Sequence, residues 1–131
     1  MKAEVTNGGK VIIFPNDDVV CPKFIGGIVG GRVLDVSEVE DSYIKAGQLI
    51  ITDGNGNYKP LKPTDGAYTT VPSDWSICGV LYRTVPKERP WASIMTSGRL
   101  NSEAAPYPVT PVEAAFKAAL PLVELVKDEE A

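Results

Sequence analysis

A small, mainly β domain with minor α content is what these 131 residues predict, on three observations. Short apolar, β-branched runs recur along the chain. The 12 glycines and 11 prolines are spread through it and are not gathered in one linker. A single amphipathic helix pattern stands near the end. Glycine and proline cut the apolar runs to strand length, and such runs between turn residues read as strands. A hydrophobic content of 44% supports a real core at this length.

Taken in order, Lys10–Phe14 (KVIIF) is the first strand, stopped by Pro15-Asn16-Asp17-Asp18. Val19-Val20-Cys21 reads as a second short strand, ended by Pro22. Phe24–Val36 is apolar, but the pairs Gly26-Gly27 and Gly30-Gly31 interrupt it, which predicts kinks or close backbone approach. Val36–Tyr43 is acidic and reads as a loop. Lys45–Leu61 reads as two strands closed by the turn Asp53-Gly54-Asn55-Gly56. Lys62–Trp75 lacks periodicity and is expected to be an ordered surface loop. Ile77–Val85 is a buried strand, Pro86–Pro90 a charged turn, and Trp91–Thr96 a further strand that turns at Ser97-Gly98 into Arg99-Leu100.

The C-terminal helix is predicted from its ends and its stripe. Thr110 stands as N-cap, Pro111 at the first helical position, and Glu113 completes a capping box. Val112, Ala115, Phe116, Ala119, Leu120 and Val123 follow helical spacing, and Glu113 and Lys117 lie four apart on the wet side. Pro121 ends or kinks the helix near Leu120. Leu122–Lys127 reads as a second short turn, and the acidic Asp128-Glu129-Glu130, at the wrong end for a helix dipole, as a fraying tail.

The chemistry of the chain points away from catalysis. There is no histidine, so no Ser-His-Asp or Cys-His arrangement can form. Asp53-Gly54-Asn55-Gly56-Asn57 begins like a calcium loop, but its sixth position is Tyr58 and its twelfth Thr64, where glycine and glutamate are needed. Gly26–Gly31 is glycine-rich, yet the strand-like Arg32–Val36 follows it, not the helix a phosphate loop requires. Ser42-Tyr43-Ile44-Lys45 matches S-x-x-K without a helix start around the serine. No catalytic, cofactor-binding or metal-binding residue is assigned, and no cofactor. A net charge of −4 argues against nucleic-acid binding, which needs clustered Lys and Arg. No apolar run approaches membrane length, so no transmembrane helix is expected. Cys21 and Cys78 read as small, mostly buried apolar residues made in a reducing cytosol, with a bridge between them left open.

Several blocks follow one another in a distinctive order: Ala46-Gly47-Gln48-Leu49, Gly56–Leu61 (GNYKPL), Gly79-Val80-Leu81-Tyr82, Trp91–Met95 (WASIM), Gly98–Ala105 (GRLNSEAA) and Thr110–Ala115 (TPVEAA). In order and spacing they resemble the head decoration proteins of tailed bacteriophages, the family of lambda head protein D, and the phage head-fibre proteins that attach to capsids. The resemblance covers roughly residues 43 to 125. It implies a small β-rich decoration-protein fold that assembles as a homotrimer. It further implies a non-enzymatic cement protein on the outer capsid surface of the virion, bound to the major capsid protein after synthesis in the bacterial host cytoplasm. A protein that binds only the expanded shell stabilises that shell by linkage.

On this reading residues 41–131 form the decoration-like β domain. Residues 1–40 are an N-terminal arm or extra base strands. Their apolar pieces either add to a partner's sheet edge or belong to the domain's own sheet. Phe14, Phe24, Ile25 and Ile28 are the capsid-contact candidates. If the arm reading holds, removing residues 1 to about 30 is expected to leave a folded body. The alternative function is a host-surface or carbohydrate-binding module of a capsid fibre, with Trp75 or Trp91 exposed in a shallow groove.

Overall fold

The computed structural model describes residues 17–127 in full and the backbone of 3–7 and 10–14. The fold is mainly β with a small helix, as the sequence predicts. Strands β1 (Ala3–Asn7) and β2 (Lys10–Phe14) pair antiparallel as a two-stranded sheet of their own. The main sheet holds six strands: β3 (Lys23–Gly27), β6 (Leu49–Thr52), β7 (Tyr58–Pro60), β8 (Ser76–Leu81), β11 (Ile94–Asn101) and β12 (Val123–Val126). Two minor pairs flank it. One is β4 (Arg32–Val33) with β10 (Trp91–Ala92), the other β5 (Tyr43–Ile44) with β9 (Val85–Pro86).

Strand alternation builds two cores. In β6, Leu49 and Ile51 face a cluster with Tyr68, Ile77, Leu100 and Phe116, while Ile50 faces a second cluster with Leu34, Ile44, Leu81 and Ile94. Neighbouring residues of a strand point to opposite faces, so a sheet covered on both sides reads as the unbroken apolar run LII. In β11, Ile94 and Met95 divide between the clusters in the same way. The β6–β7 hairpin forms at the expected place. The Asp53 carboxylate accepts from the Asn55 N–H at 2.8 Å and from the Asn57 side-chain amide at 2.8 Å, an Asx turn that ties the loop to itself.

β11 is the spine of the sheet. It pairs antiparallel with β8 and β3 and parallel with β12. It does not turn at Ser97-Gly98 as expected, but runs through them with two register shifts against β3. Gly98 permits this. Its φ is +150°, and a Cβ there would stand 2.3 Å from the Lys23 carbonyl oxygen, so only glycine lets β3 cross so closely.

The helix is α2 (Glu113–Ala119), entered through a 3₁₀ turn at Thr110–Val112. Val112, Phe116 and Leu120 are buried as expected, and Lys117 reaches Glu113 at 3.4 Å. Ala115 and Ala119 are exposed, so the buried stripe is narrower than its spacing suggested. The capping box does not form. The chain enters from Val109, whose carbonyl accepts from the Val112 N–H at 2.9 Å, and neither helical start carries a side-chain cap bond.

Three further expectations are corrected. Asp17–Val20 is a short helix, α1, not a strand. The Asp17 carboxylate accepts from both the Thr84 N–H and hydroxyl at 2.8 Å, which anchors the turn and seats Val20 and Cys21 in the core. Ile77–Val85 is two strands, β8 and β9, separated at the Thr84 anchor. Leu122–Lys127 contains strand β12, not a turn, because Val123 and Val126 find buried positions beside β11. The acidic tail at 128–130 lies outside the described residues. Residues on both sides of position 40 share both cores: Val20 and Cys21 enter the first and Leu34 the second, while β3 lies on β11.

Candidate functional site

The segment predicted to make contacts forms one edge of the sheet. β3 pairs with β11 and has no strand on its other side among the described residues. Ile25 is 64% exposed, and Phe24 is exposed with its ring tilted on Tyr82 at 4.7 Å between centroids. Ile28 is half-buried against the second core and donates its N–H to the Ile94 carbonyl at 3.0 Å. Phe14 closes β2 through its backbone pairing with Ala3; its side chain lies outside the described residues.

Beyond β3 the chain makes a fixed turn. The Gly31 N–H donates to the Ile28 carbonyl at 3.2 Å, and Gly30 and Gly31 take φ of +79° and +70°. Positive φ at the third turn position calls for glycine. The Trp91 indole N–H donates to the Gly30 carbonyl at 3.0 Å, and a Cβ on Gly31 would sit 2.6 Å from the Ala92 carbonyl oxygen. The turn is thus pinned to β10 and holds Val29, 91% exposed, out to solvent. Val33 pairs across from Trp91, and both are exposed, Trp91 by 62%. Apolar residues gathered in this way mark interaction surfaces more often than chance exposure does. Val29 and Val33 were not among the sequence candidates, and Trp91 was one only for the alternative carbohydrate-binding reading; the doubled glycines signalled kinks or close backbone approach at this place.

A second feature is a cleft of about 390 Å³ between the 35–43 loop and the 59–65 segment. Asp35, Glu38, Glu40 and Asp41 line it, with Tyr43, Tyr107 and Gln48. Lys59 lies there too, held by Glu38 at 3.3 Å and over the Trp75 ring at 4.4 Å. A hydrogen bond from Ser37 holds the Asp35 carboxyl below its usual range, whereas partial burial and then the Asp41 charge push the Tyr107 hydroxyl upward.

The remaining motifs resolve into backbone structure. Gly26–Gly31 is strand end and turn, with no helix following. Ser42 and Lys45 flank β5 and stand on no helix. Cys21 and Cys78 are free thiols, and burial pushes them up to about 12 and about 11. Among the described residues no group of three acidic, Cys or His side chains is placed to hold a metal ion, and no helix is long and apolar enough to cross a membrane. Comparison with protein-family models, with curated proteins and with solved structures finds no match.

Proposed function

We propose that this protein is a capsid decoration or head-fibre protein. It binds the outer surface of a tailed phage's major capsid lattice as a homotrimer and stabilises it without chemistry. The observation that carries the reading is the pinned Ile28–Gly31 turn, which presents Val29 beside Trp91 and Val33 next to the open edge of β3. Rigid presentation lowers the ordering cost of docking, and tryptophan is among the residues enriched at interface hot spots. The β-rich fold and the ordered sequence blocks support the same reading.

The test is co-sedimentation with purified, undecorated, expanded heads of the phage whose genome encodes the protein. Binding is expected, together with a higher temperature of head disruption. Trp91→Ala and Val29→Asp should each weaken binding by at least about 30-fold, the loss of a hot spot of about 2 kcal/mol, while leaving circular dichroism unchanged. No binding by the wild-type chain would sink the proposal. Binding untouched by either variant would move the contact elsewhere. Light scattering that shows a monomer both free and on heads would remove the trimer.

A further inference from the structure

We infer that the cleft between the 35–43 loop and the 59–65 segment takes a neutral, hydroxyl-rich ligand, a saccharide. This goes beyond capsid binding and does not depend on it. The floor of the cleft carries the argument. Gln48 is only 7% exposed, and its Oε1 accepts from the Lys45 N–H at 2.7 Å. That bond fixes the orientation of the amide and makes Nε2, a donor only, its other end. No described residue accepts from Nε2. Among the described residues no wholly buried side-chain nitrogen or oxygen lacks a partner, so Nε2 keeps some opening, and the cleft that Gln48 lines is where we infer that it opens. An amide donor with so little access to solvent is a recognition group awaiting an acceptor.

The walls ask for the opposite. Asp35, Glu38, Glu40, Asp41 and Asp65 line them against the two lysines Lys59 and Lys62, and ionised carboxylates only accept. Lys59 is already engaged by Glu38 and Trp75. The five acids outnumber the two lysines, so an anionic ligand would be repelled on balance, and a bare cation would meet the Nε2 donor at the floor. A hydroxyl group accepts and donates at once, so a polyol satisfies floor and walls together. Tyr43 and Tyr107 add ring surface for the apolar face of a sugar ring. The volume falls within the range of small-ligand sites.

The experiment is NMR titration of the full-length, ¹⁵N-labelled protein. The neutral probes are N-acetylglucosamine, chitobiose and methyl α-glucoside; glucuronate and a tetralysine peptide are the charged ones. At least one neutral sugar should shift the Gln48 side-chain amide and saturate. Gln48→Glu keeps the acceptor for Lys45 and removes the donor, so it should weaken binding at least about fivefold. Tyr43→Ala, at an exposed position, should also weaken it and guards against a folding defect in the first variant. No saturable shift at Gln48 with any neutral sugar overturns the inference. So does binding that neither variant weakens. A response to tetralysine alone makes the cleft a basic-peptide site, and a response to glucuronate alone an anion site; either result overturns the inference. Head co-sedimentation by Gln48→Glu should equal wild type, which separates this site from the capsid-facing one.

Discussion

Phe116 has no exposed surface and stands where α2 meets the first core. Replacing it by alanine should cost about 3–5 kcal/mol, read as a shift in the urea midpoint; a near-neutral result would mean that the helix does not pack on the sheet. Gly98→Ala should also destabilise, by roughly 1–3 kcal/mol, because both its φ and the Lys23 carbonyl oppose a side chain. The thiols set an alkaline limit. Burial raises Cys21 to about 12 and Cys78 to about 11, against about 8.5 in an unfolded chain. Between these values the native state holds protons that the unfolded state has lost, so stability falls as pH rises. The protection is complete below about pH 8.5 and disappears as pH passes through 11 to 12, at up to about 1.4 kcal/mol per pH unit for each thiol. Urea unfolding from pH 8 upward should show the decline, and a Cys21→Ala, Cys78→Ala double variant should flatten it between about pH 8.5 and 10; above that the buried Tyr68 hydroxyl, also pushed up, adds a decline of its own.

At the scale of elements, the helix start gives a test of local rules. Thr110 makes no cap bond, so Thr110→Ala should change stability by less than about 0.5 kcal/mol, not by the roughly 1 kcal/mol of a lost cap; calorimetry decides between them. The helix itself was legible because Val112, Phe116 and Leu120 repeat on one face. The hairpin was legible because Asp53 and its neighbours close a turn with their own side chains. Elements defined by distant partners were not legible. Val19-Val20-Cys21 has strand composition, but the Asp17–Thr84 bonds, 67 positions apart, wind it into a helical turn. VELV after Pro121 is too short to announce a strand until β11 lies beside it. Ser97-Gly98 looks like a turn, and only the crossing of β3 shows why glycine is there.

At the scale of the whole molecule, the same limit applies to the surfaces. The apolar run of Phe24 to Val36 was visible, but not which of its residues face solvent, since Trp91 fixes the turn from far along the chain. The cleft draws its walls from loops at 35–43 and 59–65 and its floor from Gln48, a convergence that no local pattern encodes. Truncation separates arm from body. Among the described strands β1 and β2 pair with each other and with no third, so deleting residues 1–14 should leave the melting transition in place. Deleting residues 1–31 removes Val20, Cys21 and β3 from shared packing, and the remainder should lose its cooperative transition by circular dichroism, contrary to the folded body that the sequence blocks suggested. The arrangement around β11 also bears on synthesis. That strand is flanked by β3 from early in the chain and β12 from late in it. During translation its neighbour on the β12 side is missing until residue 126 has left the ribosome. A nascent chain halted within α2 lacks β12, so β11 keeps an open edge and the part of the first core that Val123 fills stays uncovered. Products terminated before β12 should be degraded by proteases faster than the full 131-residue chain.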